Sequence, residues 1–200
     1  MVRAHSEEPN ISNNMTQDLF AELDIALGDD VMTMLNNLAL TLHYNQRSIL
    51  NQYTDDFTLS LGSDIDNFIS KFNCDMAITR IEPASHLIWH KDISQSRTCV
   101  INIPLKEYKD QTTYIINQDI LKALDSRNSY PDKDNVIKIH RPYIIPYNYK
   151  KLYLVNVSEK YHCVFNCSNE YRYLLGIQTG DITYQEGLDY FINLNLTNSQ

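Results

Sequence analysis

Three side chains that commonly bind metal ions occur at a spacing that would bring them together. His90 and Asp92 lie two residues apart in the segment 88–92. Side chains two residues apart in an extended chain leave the same face, so the imidazole and the carboxylate would be neighbours. A third ligand must come from elsewhere, and the best candidate is His162 in a second β-favouring segment, 160–166. The spacing therefore predicts a metal site of two histidines and one carboxylate.

Two arginines accompany these candidate ligands. Two histidines and a carboxylate form the donor set of non-haem Fe(II) oxygenases, which leaves the opposite positions of the ion open. Arg172 follows His162 by ten residues, and a turn at 167–170 would place its strand antiparallel to the His162 strand, with Arg172 in the same cavity. A buried arginine needs an anion, and its planar fork suits a carboxylate. Arg97, which begins an otherwise apolar inward face, also suggests a bound acid.

The order of these residues resembles the 2-oxoglutarate- and Fe(II)-dependent dioxygenases over about residues 76–180. Within them it is most similar to the aspartyl/asparaginyl β-hydroxylase-like branch, although some members of that branch lack the carboxylate ligand that Asp92 supplies here. The fold implied is a double-stranded β-helix, or jelly roll. The motifs that carry the resemblance are His90-x-Asp92, Arg97 before Ile101-Asn102-Ile103-Pro104-Leu105, His162-x-Val164-x-Asn166, and Arg172.

The resemblance also implies roles for these residues. His90, Asp92 and His162 would bind Fe(II), and no catalytic residue beyond these ligands is implied. Arg172 would pair with the distal carboxylate of 2-oxoglutarate, and Arg97 would be a second contact to the co-substrate or the substrate. The reaction implied uses O2 to hydroxylate a C–H bond of a polypeptide side chain or a small metabolite, and it releases succinate and CO2.

The predicted elements form a mainly β domain with an N-terminal helical layer. We expect a tail over 1–15 and one domain over 16–200, with the helical layer at about 16–73 and the jelly-roll core at about 74–180. Apolar periodicity predicts two helices within 16 to about 52, broken at 28–30, and a third at about 64–72. A further helix is expected at 118–124. Strands are expected at 76–81, 87–90, 98–105, 112–116, 136–140, 143–145, 151–157, 161–166 and 172–178.

Composition narrows the classes of function. The net charge of −8 argues against a nucleic-acid partner, and no apolar run is long enough to cross a membrane. The four cysteines form no CxxC pair and favour free thiols in a reducing, cytoplasmic compartment. Two alternatives stay open: a cupin-like metalloenzyme that does not use 2-oxoglutarate, for which His86 is the nearby extra histidine, and a non-catalytic jelly-roll binding module. The sequence does not identify the primary substrate, which loops such as 106–111 and 125–150 would select.

Overall fold

Strands dominate the computed structural model of the chain, which describes residues 18–42, 49–53, 60–92, 98–107, 111–116 and 142–198. The strands within these ranges are β1 (Phe20–Ala26), β2 (Ile49–Tyr53), β3 (Asp75–Ile81), β4 (Ser85–His90), β5 (Cys99–Pro104), β6 (Gln111–Ile116), β7 (Tyr143–Ile145), β8 (Lys151–Val155), β9 (Tyr161–Asn166) and β10 (Arg172–Thr179). The helices are α1 (Asp29–Thr41), α2 (Ser63–Lys71) and α3 (Tyr184–Asn198).

The strands form two antiparallel sheets. The larger has six strands in the order β1-β8-β5-β10-β3-β2, and the smaller has four in the order β4-β9-β6-β7. Several strands that follow each other in sequence, such as β4 and β5 or β9 and β10, belong to different sheets, as in a jelly roll. The predicted fold class is therefore confirmed, and the strands expected from 76 to 116 and from 143 to 178 are present with ends shifted by one or two residues.

The six-stranded sheet separates two environments, because its side chains alternate between its faces. One face carries Ile101, Ile103 and Leu175, which pack in one apolar cluster with α1, α2 and α3. The opposite face carries Asn102, Leu174 and Gly176, which line a cavity facing the four-stranded sheet. The helices thus support the large sheet from outside, and the cavity lies within the sandwich.

The helical layer is smaller than predicted. The segment 20–26 is strand β1, paired with β8, and 49–53 is strand β2, paired with β3. The prediction of helix over these segments was wrong, because Glu22 and Asp24 alternate with apolar residues at the period of a strand. Helix α1 begins after Gly28, and α2 begins after Gly62, one residue earlier than the predicted start at about 64. Helix α3 was not predicted.

The expected pairing of the Arg172 strand with the His162 strand is also wrong. β9 pairs with β4 and β6, whereas β10 pairs with β3 and β5 in the other sheet. The connection between them crosses the end of the sandwich, where the buried Asn166 side chain donates to the carbonyls of Ile81, Glu82 and Glu170 at 3.2, 2.9 and 2.8 Å. These bonds hold a crossover where the sequence suggested a hairpin.

Several predictions fall outside the described residues. They are the tail at 1–15, the helix at 118–124, the strand at 136–140 and Arg97. All four cysteines are free, and Cys99 and Cys163 are buried as expected, but Cys167 is exposed. Among the described residues, no helix is long and apolar enough to span a membrane.

Candidate metal centre

The three candidate ligands converge because β4 and β9 are neighbours in the four-stranded sheet. His90 on β4 lies directly opposite His162 on β9, after an irregularity in the register between Leu87 and His90. Asp92 follows the end of β4, where its backbone N–H donates to the carbonyl of Val157 at 2.9 Å. The same-face spacing of His90 and Asp92 and the strand position of His162 therefore bring the side chains together as the sequence suggested.

The geometry of the three side chains suits one ion. One ligand atom from each of His90, Asp92 and His162 can be chosen so that all lie within 4.8 Å of one another. His90 Nε2 lies 3.5 Å from Asp92 Oδ1, and the two imidazole centroids are 4.2 Å apart. Adjacent ligands on an ion with bonds of about 2.1 Å lie roughly 3 Å apart, so small side-chain movements would complete the site. Within the described residues no other group of His, Cys, Asp and Glu has this arrangement.

The protonation of His162 is also compatible with metal binding. Its side chain is buried, with 7% of its surface exposed, whereas the side chains of His90 and Asp92 are 31% and 21% exposed. Burial, followed by the charge of His90, lowers the pKa of His162 to about 4, although Asp92 acts in the opposite direction. His162 is therefore neutral near pH 7, which is the form that offers a lone pair to a metal.

A second polar group lies further into the sandwich. Arg172, only 1% exposed, extends from β10 of the large sheet and donates from Nη2 to Thr113 Oγ1 on β6 of the small sheet at 2.7 Å. Its guanidinium carbon lies 5.3 Å from the ring centroid of Tyr147. The Tyr147 hydroxyl in turn accepts a hydrogen bond from Asn102 Nδ2 at 2.9 Å. These four residues form a polar group that is separate from the three candidate metal ligands.

The distance between the two ends follows from the strand register. On β6, Ile115 pairs with His162 and Thr113 pairs with Val164, two residues further along β9. Two residues of antiparallel strand span roughly 7 Å, so Thr113 lies about that far along the sheet from His162. One cavity of about 120 Å³ is lined by His90, Asp92, His162, Thr113, Tyr147 and Asn102, with aliphatic side chains between them. The two polar groups therefore meet the same cavity at different depths.

Not every residue of the cavity was predicted from the sequence, and not every predicted candidate lies in it. His86 is exposed and stacks on Phe165, with ring centroids 5.8 Å apart, so it adds no fourth ligand. Arg97 is outside the described residues. Sequence reasoning missed Thr113 and Tyr147, and it noted Asn102 only as part of a motif. No spacing rule joins these residues, because their contacts cross between the sheets.

Solved structures with a similar fold support the architecture described above. The sequence matches no protein-family model and no curated protein. Solved structures do match, among them HygX from Streptomyces hygroscopicus with nickel and 2-oxoglutarate bound, at a TM-score of 0.60 and 11% identity over 86% of this chain and 87% of that chain. A Trichoplax adhaerens prolyl hydroxylase in complex with a hypoxia-inducible-factor peptide fragment matches at a TM-score of 0.55 and 11% identity, over 87% and 94%.

A third similar structure is a prolyl-4-hydroxylase from Pseudomonas putida, with a TM-score of 0.52 and 12% identity over 80% of this chain and 92% of that chain. At identities this low, structural similarity is evidence about architecture, and function has to be argued from the site. The chain therefore has the double-stranded β-helix fold that these oxygenases have.

Proposed function

We propose that this protein is an Fe(II)- and 2-oxoglutarate-dependent oxygenase that hydroxylates a C–H bond. The observation that carries the proposal is a cavity with a two-histidine, one-carboxylate cluster at one end and, at the other, Thr113, which accepts a hydrogen bond from the buried Arg172. HygX, which has the same fold, has been solved with 2-oxoglutarate and nickel or with iron bound. The fold, the ligand types and the second polar end all support the same reaction class.

His90, Asp92 and His162 would hold the metal. They supply two neutral nitrogen donors and one anionic oxygen from one side, and that arrangement leaves the other coordination positions for small molecules. Asp92 compensates part of the charge of a divalent ion, and the low pKa of His162 means that little free energy is spent on deprotonating it. A closed set of four protein ligands would instead indicate a structural site.

Arg172, Thr113 and Tyr147 would bind the distal carboxylate of 2-oxoglutarate. Because Thr113 and Tyr147 each accept a hydrogen bond, from Arg172 and Asn102 respectively, their own hydroxyl hydrogens remain available to a ligand. Burial raises the pKa of Tyr147, so its hydroxyl stays protonated. Two hydroxyl donors and a guanidinium match the acceptor oxygens of a carboxylate.

The chain's own contribution to the reaction is to position the reactants and exclude water. When bound, Fe(II) and 2-oxoglutarate supply the oxidising chemistry, in which O2 gives one oxygen atom to the substrate C–H and one to the oxoacid, releasing succinate and CO2. The aliphatic residues Val100, Val155 and Val164 also line the cavity and would limit the access of water to it. Arg172 and Thr113 fix the oxoacid relative to the three ligands, so its oxidation is directed to one place.

For the primary substrate we retain the two classes that the sequence resemblance suggests, a side chain of a polypeptide or a small metabolite. The Trichoplax prolyl hydroxylase was solved with a peptide, which favours a polypeptide substrate for that protein. The β-hydroxylase-like branch remains a sequence-based prediction, as does the contact from Arg97. His86 does not join the three ligands, so the cupin-like alternative gains no support.

An anaerobic titration tests the proposal. Fe(II) is added to the metal-free protein and 2-oxoglutarate follows, while the visible charge-transfer band of the oxoacid–iron chelate is recorded. We expect the band in the native protein and in Asp24→Ala, a matched change at an exposed carboxylate. We expect no band in Asp92→Ala. Iron binding without the band would contradict the use of 2-oxoglutarate, and a failure to bind any divalent metal would contradict the metal site itself.

A further inference from the structure

The hydrogen bond between Asn102 and Tyr147 has a direction that bears on ligand selection. Asn102 lies on β5 and lines the cavity from the large sheet, and Tyr147 lies in the segment between β7 and β8. The donor is Asn102 Nδ2 and the acceptor is the Tyr147 hydroxyl oxygen, 2.9 Å away. A phenol has one hydrogen to donate and can also accept. Because Asn102 donates to the oxygen, the hydrogen of Tyr147 is directed elsewhere.

The other polar groups at this end of the cavity also offer hydrogen-bond donors. Thr113 Oγ1 accepts from Arg172 Nη2 at 2.7 Å, so the Thr113 hydroxyl also has its hydrogen left to donate. The guanidinium of Arg172 carries donors only. Among the described residues, no acceptor receives the hydroxyl hydrogens of Tyr147 and Thr113. A ligand that satisfies this end must therefore bring acceptors, and a ligand group that is itself a donor would leave buried hydrogens facing each other.

We propose that Asn102 is a positioning residue that directs the Tyr147 hydroxyl hydrogen towards the ligand, and so makes this end of the cavity selective for a carboxylate. This inference rests on the proposed function and extends it, because Asn102 would act through Tyr147 without touching the co-substrate. An aspartate at the same position would reverse the bond, since a carboxylate can only accept. Tyr147 would then donate to position 102 and present its lone pairs to the ligand.

Binding measurements on a set of variants test the inference. The dissociation constant of 2-oxoglutarate is measured by calorimetry on the Mn(II)-loaded protein, with 2-oxopentanoate as a probe that keeps the chelating end and lacks the distal carboxylate. Asn102→Leu should weaken 2-oxoglutarate about 5-fold, which corresponds to about 1 kcal/mol for one oriented hydrogen bond. Asn102→Asp should weaken it more. Binding of 2-oxopentanoate and of Mn(II) should stay unchanged in Asn102→Leu.

The double variant with Tyr147→Phe separates positioning from general damage. With no hydroxyl to orient, Asn102→Leu should cost less than 2-fold further in that background, whereas a merely structural role would cost the same in both backgrounds. Asn193→Leu, at an exposed position on α3, is the matched control and should bind as the native protein does. Native-like affinity in Asn102→Asp, or equal losses for the two oxoacids, would overturn the inference. Failure of the native protein to bind either oxoacid would overturn the proposed function, and this inference with it.

Discussion

Replacement of Arg172 by methionine is the sharpest test of the proposed carboxylate site. Methionine has a similar length and can fill the space of the arginine chain inside the sandwich, so the change removes charge and hydrogen bonds more than volume. The variant loses the 2.7 Å bond to Thr113 and the guanidinium over the Tyr147 ring. The three metal ligands lie on and next to β4 and β9 of the other sheet, so Mn(II) or Fe(II) should still bind.

The expected loss follows from the burial of Arg172. Its side chain is 1% exposed, so solvent screens a bound carboxylate very little. Removing one partner of a buried, hydrogen-bonded charge pair costs about 2–5 kcal/mol, which weakens 2-oxoglutarate by about 30-fold or more. Thr113→Val removes only one neutral hydroxyl donor, and about 1 kcal/mol, or roughly 5-fold, is expected. Arg172→Lys keeps the charge without the planar fork and should lie between these two.

Calorimetric titration of the Mn(II)-loaded variants with 2-oxoglutarate measures these losses. Arg80→Met is the matched control, because Arg80 lies on the neighbouring strand β3, in register with Tyr173, and its guanidinium carbon is 4.7 Å from the Tyr171 ring centroid. That variant should bind 2-oxoglutarate as the native protein does. If folded, metal-binding Arg172→Met kept an affinity within about 3-fold of the native value, the reasoning would be refuted, and the distal carboxylate would have to bind elsewhere.

Three further predictions concern the scaffold. Gly187→Ala should destabilise the fold by about 1–3 kcal/mol in denaturant unfolding, because a Cβ there would lie 2.6 Å from Cys99 Sγ. Cys99→Ala in the same chain should relieve most of that loss, and additive losses of the two changes would contradict the prediction. Asn166→Ala should cost about 2 kcal/mol in the same assay, since it leaves the buried carbonyl of Ile81 and the partly buried carbonyls of Glu82 and Glu170 without this donor. Hydrogen bonds from the Thr183 N–H and hydroxyl lower the pKa of Glu186. The ionised Glu186 therefore stabilises the fold above about pH 4.3, and this stabilisation is lost as the pH falls through the lower pKa of the folded protein. The difference in unfolding free energy between the native protein and Glu186→Gln should shrink on acidification, and a difference that stays constant would contradict the prediction.

The strands of the sandwich could be predicted because their signal is local. The segments 76–81 and 99–104 are rich in β-branched residues, and 161–166 combines aromatic residues with Val164, so each favours a strand. The first strand was misread because the clear helical periodicity of α1 was extended backwards across Gly28 into 20–26. Strand β1 is an edge strand, stabilised by pairing with β8 more than 120 residues later, and that pairing has no local signature.

Strand periodicity identified two of the candidate metal ligands, but it gives no information about the rest of the site. His90 and Asp92 share a face by strand periodicity, so two of the three candidates could be paired from spacing alone. A hairpin that the structure does not contain was predicted to bring Arg172 into the cavity. Arg172 instead belongs to the opposite sheet and bonds to Thr113 in the cavity wall. Its contacts with Thr113 and Tyr147 depend on which strands face each other across the sandwich, and spacing along the chain does not encode this.

Because the site is divided between two sheets, the packing of the sheets against each other affects its geometry. His90 and His162 belong to the four-stranded sheet and Asp92 follows its strand β4, whereas Arg172 and Asn102 belong to the six-stranded sheet. The distance between the candidate metal ligands and Arg172 is therefore set partly by how the sheets pack, through buried residues such as Ile115, Val155 and Val157. Because interiors are packed at crystal-like density, a change in the volume of these residues shifts one end of the site relative to the other. Co-substrate affinity should therefore respond to core substitutions that leave every polar contact of the site intact.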